Sequence, residues 1–192
     1  VVRFNFLSEL TPQIKIKNNQ QAGKIAFNRA IELKELGVNM NFSPVLDYVS
    51  SSKSYLYYRT FGTSSNATGE LGSAMIEGYR KGGVIPVAKH FPGYGNIFPD
   101  PHKNQATLNI GSEELELSLT PFRKIVSDNS AIAIMTAHIL VPRIDTKIAT
   151  LSSKFLNEIL RKQLGFNGVI ITDDLEMISA GKMIEQSAID AI

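Results

Sequence analysis

The chain contains no cysteine, so disulfides and thiol catalysis are excluded. That absence fits a reducing compartment, and a cytoplasmic location is the expectation it gives. No apolar run comes near the length of a membrane span, and no signal peptide is visible at the head of the sequence. No membrane partner is therefore expected. Neither sign of charge dominates. The 20 basic and 18 acidic residues leave +2, and the basic ones are scattered rather than gathered, so nucleic acid is not an expected partner. Two signatures are also missing. A nucleotide-binding sheet carries a Gly-rich turn between its first strand and helix, and none is present. A zinc amidohydrolase barrel favours a His-x-His pair, and none occurs. Histidine itself is scarce, with only His90, His102 and His138.

What is present is the composition of one globular domain with a sizeable core, 192 residues long and 43% hydrophobic. Short apolar runs alternate with helical patterns. Residues 39–47, 84–91, 131–139 and 168–175 read as strands whose two faces are both apolar, as in a parallel sheet covered on both sides. Residues 20–36, 70–81, 112–127 and 152–164 carry helical spacing, and 183–192 adds a last helical stretch. Gly37 and Gly165 offer C-terminal caps. Pro121 predicts a break inside the third helix. Strand followed by helix, repeated, predicts parallel βα units. A doubly wound sheet and a barrel both remain open at this point.

The polar residues fall where the strands end. The first run ends in Asp47, the second in Lys89-His90, the third in His138, the fourth in Asp173-Asp174. In parallel α/β folds that edge carries the site. Alternation along a strand sends Asp173 and Asp174 to opposite sides. One is expected at the mouth and the other as a cap for the next segment. The loop at 91–102, FPGYGNIFPDPH, is restricted by three prolines. Asp100 near its far end can hold the His102 imidazole and set its tautomer, which suits proton transfer near neutral pH. Other readings compete. His90 and His138 can be core histidines satisfied by carbonyls, the better reading for His138. Asp47 is either a partner of Lys89 or a sugar contact. Arg3 and Arg59 can be surface ion pairs. Tyr55, Tyr57 and Tyr58 can form a sugar platform, although core packing is the default.

Several segments then resemble one family. KHFPGYGNIFPDPH (89–102) resembles the KHFPGHGxTxxDSH signature of the family 3 glycoside hydrolases, in particular their β-N-acetylglucosaminidase subgroup that works in peptidoglycan recycling. MTAHILVPRIDTKIATLS (135–152) resembles MxAHxxxPxxDxxPATLS, and LRKQLGFNGVIITDDLEM (160–177) resembles LRxxLGFxGVIxTDDLxM. NFSPVLD (41–47), RTFG (59–62) and the opening VVR fit in order. The resemblance implies an α/β fold, a (β/α)₈ TIM barrel, with 1–192 as a single partial catalytic domain. It places the start of this chain after the family's second strand and the end before its seventh.

The resemblance implies removal of β-linked N-acetylglucosamine from peptidoglycan-derived or chitin-like glycosides by a retaining route. Asp173 is then the nucleophile, His102 the acid/base and Asp100 its orienting partner. Arg3, Arg59, Lys89 and His90, with Asp47, match sugar-binding positions. No cofactor or metal is implied, and the partner is a small carbohydrate. Phosphorolysis in place of hydrolysis, a metal-dependent amidohydrolase and an inactive sugar-binding fragment are the alternatives. The chain departs from the pattern at Tyr94 (usually His), Asn96, Ile97, Pro101, the stretch 104–108 and Lys147-Ile148, none of which removes a proposed catalytic group.

Overall fold

The strands of the main sheet are short, from two to seven residues. A computed structural model describes residues 7–97 and 106–177, together with Gln186, Ala188 and Ile189. Its main sheet holds β1 (Met40–Asn41), β2 (Ile85–Phe91), β4 (Ala133–Thr136) and β6 (Val169–Ile171) in the order β1-β2-β4-β6, with every pair parallel. A second, two-stranded parallel sheet joins β3 (Ala106–Thr107) to β5 (Ile139–Leu140). Helix α1 (Asn19–Glu35) leads into β1, α2 (Ser65–Lys81) joins β1 to β2, and α3 (Ser112–Ser127) lies between β2 and β4. A fourth helix, α4 (Lys154–Gln163), joins β4 to β6 with π-type turns, its end closed by the Leu164 N–H on the Ile159 carbonyl at 2.9 Å. In the main sheet each new strand adds beside the previous one, with no reversal. A doubly wound sheet reverses at its switch point, so this order selects the curved arc of a (β/α)₈ barrel.

The alternation of side chains sorts the two faces. Val87, Ala133 and Met135, with Ile171, form an inner cluster. Ala88, Ile134 and Ile170 turn the other way, into the large cluster that holds Phe122 of α3 and Phe155 and Leu160 of α4. Helices α1 and α2 pack side by side through Ala22, Ala26, Ala30, Met75 and Tyr79. Gly78 lets them approach closely. A Cβ there would stand 2.3 Å from the Gly23 carbonyl oxygen.

The four strands and four helices expected over 20–175 are present, with several bounds shifted, and the β3–β5 sheet was not foreseen. The strand expected over 39–47 stops at Asn41 and returns only as a bridge between Val45 and Lys89. Pro44 has no N–H to give, although its carbonyl accepts from Lys89 N at 3.0 Å. The strand expected over 131–139 ends at Thr136, and Ile139–Leu140 pairs instead with β3. Helix α2 begins before residue 70, because Ser64 caps it by accepting from Ala67 N at 3.3 Å. Helix α3 runs unbroken through Pro121, whose ring is buried on the core side. The stretch 183–192 lies almost wholly outside the described residues.

Candidate functional site

The polar strand ends meet at one rim of the arc, the C-terminal edge. On β2 the register slips between Lys89, which pairs Met135, and Phe91, which pairs Thr136. His90 is the extra residue. A bulge of this kind re-aims a side chain, and His90 faces the strand-end cluster beside Lys89. Asp47, which follows the β1 segment, is fully buried. Its Oδ2 meets His90 Nδ1 at 2.7 Å and accepts the His90 N–H at 3.1 Å, while Oδ1 accepts the Tyr94 N–H at 2.7 Å. Both oxygens are thus engaged by protein donors. Burial pushes the Asp47 carboxyl up, but the His90 charge and these hydrogen bonds outweigh it and hold the group below the usual carboxylate range.

Asp173 emerges just past β6, with its side chain 17% exposed and Oδ2 at 3.9 Å from His90 Nε2. Its Oδ1 accepts the Asp174 N–H at 2.9 Å. Tyr94 places its hydroxyl 3.5 Å from Asp173 Oδ2. Asp174 points outward and accepts the Glu176 N–H at 2.9 Å, so the two adjacent carboxylates divide into one at the mouth and one holding the next turn. A line of carboxylate, imidazole and carboxylate therefore runs from the core to the rim. Asp47 fixes the proton on His90 Nδ1, which leaves Nε2 directed at Asp173 and the space above it.

Lys89 is buried, and burial first, then the like charge of Arg59, lowers its pKa to about 8. Asp173 and Asp47 oppose that shift. Arg59 is half-buried at the end of a 3₁₀ turn, Tyr57–Arg59. A cleft of about 390 Å³ along the β1 edge is lined by Gln13, Arg29, Phe42, Tyr58, Arg59 and Lys89 among others, but not by His90 or Asp173. Core packing holds for Tyr57 only. Tyr58 is 74% exposed, and Tyr55 is exposed as well. Asp47 makes its hydrogen bonds to His90 and Tyr94, and Lys89 is only its electrostatic neighbour.

His138 is fully buried. Its Nε2 reaches the Asp174 carbonyl at 3.1 Å and its Nδ1 the Thr150 hydroxyl at 2.8 Å. The carbonyl-satisfied reading describes it, with a consequence the sequence did not reveal: the carbonyl belongs to the residue after Asp173. Burial lowers the His138 pKa, and the Asp173 charge partly offsets that. Two more residues were missed as site components. Tyr94 was noted only as a departure from the family pattern. Asn96 accepts the N–H groups of Ser50 and Ser51 at 3.0 and 3.1 Å and donates to Ser50 Oγ at 2.5 Å, pinning the β2 loop to the loop after Asp47. Arg3, Asp100 and His102 lie outside the described residues. Among the described residues no group of three or more His, Cys, Asp or Glu could hold a metal ion, and no helix is long and apolar enough to cross a membrane.

The model of the glycosyl hydrolase family 3 N-terminal domain matches residues 9–190. A β-hexosaminidase of Nitrosomonas eutropha is 40% identical over 160 residues, 83% of this chain and 46% of that protein. A family 3 β-N-acetylglucosaminidase structure from Paenibacillus superposes with TM-score 0.86 at 34% identity, covering 91% of this chain and 34% of that one. NagZ from Neisseria gonorrhoeae in complex with N-trifluoroacetyl-D-glucosamine superposes with TM-score 0.78 at 33% identity, covering 90% and 50%. The chain spans about half the length of the curated relatives it matches.

Proposed function

This chain belongs to the glycosyl hydrolase family 3 N-terminal domain family, and from that premise we propose that it carries a retaining β-N-acetylglucosaminidase site with Asp173 as nucleophile. The observation that carries the reading is the cluster at the strand ends. A half-buried carboxylate on the β6 end stands 3.9 Å from an imidazole that a second, buried carboxylate orients. Asp173 attacks the anomeric carbon while the bond to the leaving oxygen breaks. His102 gives that oxygen a proton, then takes one from the water that frees the sugar. Asp100 holds the His102 ring. Lys89 and Arg59, with Arg3, donate hydrogen bonds to sugar hydroxyls, and His90 Nε2 accepts one. Asp47 acts through His90 rather than on the sugar, because its oxygens are already engaged. N-acetylglucosamine as the recognised sugar is supported by the relatives named β-hexosaminidase and by the N-acylglucosamine held in the Neisseria structure. Peptidoglycan-derived or chitin-like glycosides are the substrates this implies. The lack of cysteine supports work in the cytoplasm.

The test is turnover of a chromogenic β-N-acetylglucosaminide. Asp173→Ala is expected to abolish it, and His102→Ala to reduce it strongly while sparing substrates with acidic leaving groups. A fluorinated substrate analogue should leave a sugar adduct on the peptide containing Asp173. Full turnover by Asp173→Ala rejects the nucleophile.

A further inference from the structure

We propose that Tyr94 is a positioning residue for the nucleophile, its phenol donating to the Asp173 carboxylate and keeping it aimed; the inference rests on the role assigned to Asp173 above. The phenol is buried at the floor of the site. The Tyr94 N–H is held by Asp47 Oδ1 at 2.7 Å, the same carboxylate that orients His90. The Tyr94 ring stands edge-on to the His90 ring, 5.1 Å between centroids at 62°. One mount therefore fixes both groups that face Asp173.

The direction of the phenol proton follows from its neighbours. The Tyr94 oxygen accepts the His138 N–H at 3.1 Å. A hydroxyl that accepts on one side has a single proton to give. Asp173 Oδ2, at 3.5 Å, is the carboxylate oxygen facing it. That separation is long for a finished hydrogen bond, and catalytic contacts of this kind tighten when substrate is bound. Burial, then the negative charge of Asp173, holds the phenol far above its ordinary range, so it remains a donor. His138 completes the arrangement. Its N–H anchors the phenol oxygen, and its Nε2 holds the Asp174 carbonyl at 3.1 Å. Residue 173 is thus fixed by Tyr94 at the carboxylate and by His138 through the adjoining main chain. A donor on the carboxylate favours its charged form. It therefore stabilises the charge that returns to the carboxylate when water frees the sugar, and for attack on the anomeric carbon its contribution is to hold the oxygens in place.

Tyr94→Phe removes one oxygen and keeps the ring. The expected result is a fall in kcat/KM of about 10- to 100-fold, the size of one hydrogen bond to a charged group. KM should change little, and the acid limb of the pH profile should move upward. Placing 3-fluorotyrosine at position 94 keeps the shape and strengthens the donor, so the acid limb should move downward. A purely structural tyrosine would shift the thermal midpoint and leave both limbs in place. If Tyr94→Phe does not fold, the fluorotyrosine protein decides, and a stationary acid limb there overturns the proposal. Asp173→Ala is assayed alongside. Loss of turnover in Asp173→Ala with unchanged Tyr94→Phe kinetics overturns the role of Tyr94 alone. Retained turnover in Asp173→Ala removes the reading of the whole site first.

Discussion

Lys89 and Arg59 show how one rim residue sets the working range of another. Two cations share a partly desolvated edge, and Lys89 carries the cost because it is the more buried of the two. In the proposed site its ammonium is the form that would donate to a sugar hydroxyl. With the pKa lowered to about 8, that form is lost as pH rises through about 8, so kcat/KM should decline on an alkaline limb there. Lys89→Arg stays charged and should carry the limb to higher pH, although its planar fork will not reproduce the geometry of an ammonium. Arg59→Met should act differently. Removing the like charge raises the Lys89 value and moves the limb upward, while loss of the proposed sugar contact should raise KM. A pH-rate profile of the three proteins separates these effects. A limb that stays in place in Arg59→Met would mean the two cations do not sense one another.

At the scale of elements, the close crossing of α1 and α2 is decided by absent side chains. A Cβ on Gly78 would meet the Gly23 oxygen at 2.3 Å and the Ala26 methyl at 2.8 Å. Neither neighbour can retreat without moving a helix. Gly78→Ala is therefore expected to destabilise by about 1–3 kcal/mol, even though alanine favours helix intrinsically. Denaturant unfolding measures the balance, and a more stable variant would show that the two helices separate freely. The sequence could indicate which segments were helices because apolar spacing is local. It could not indicate where they crossed. The early start of α2 was hidden because Ser-Asn-Ala-Thr-Gly at 65–69 resembles a turn, and only the Ser64 cap and the burial of Thr68 and Gly69 make it a helix. The strand ends were legible for the same local reason. Lys89, His90, His138 and Asp173 interrupt apolar runs. Their pairing was not legible. Asp47 and His90 are 43 positions apart, and no local pattern records that a bulge on β2 turns His90 toward Asp47.

Three buried titratable groups of the molecule share one bias, which makes stability depend on pH in a definite direction below about 10. His138 and Lys89 both have lowered values through burial, and Asp47 is lowered by its hydrogen bonds and by His90 despite burial. A group lowered in the fold is one whose proton the unfolded chain binds more tightly, so stability rises with pH across the interval between its two values. For His138 that interval lies below its ordinary value of 6.5, and lowering of the thermal midpoint should begin as pH falls through it. Asp47 extends the loss further into acid, below 3.8. Lys89 adds stability between about 8 and 10.5. Tyr94 is raised instead, so its contribution is whole below 10.0 and lost above it. These windows together place the highest midpoint near pH 10, where His138 is neutral, Asp47 is charged, Lys89 has largely shed its proton and Tyr94 still holds its own. Each pKa unit of separation corresponds to about 3 °C in a chain of this size. Replacing His138 by Asn removes the first acid step and leaves the Asp47 step, so the midpoint of that variant should be flat across pH 6.5 and fall only in stronger acid. Thermal unfolding followed by circular dichroism at a series of pH values reads this directly. A wild-type midpoint that rises steadily from pH 7 to pH 5 would contradict a buried, neutral His138, and with it the anchor on the Asp174 carbonyl that steadies the rim of the arc.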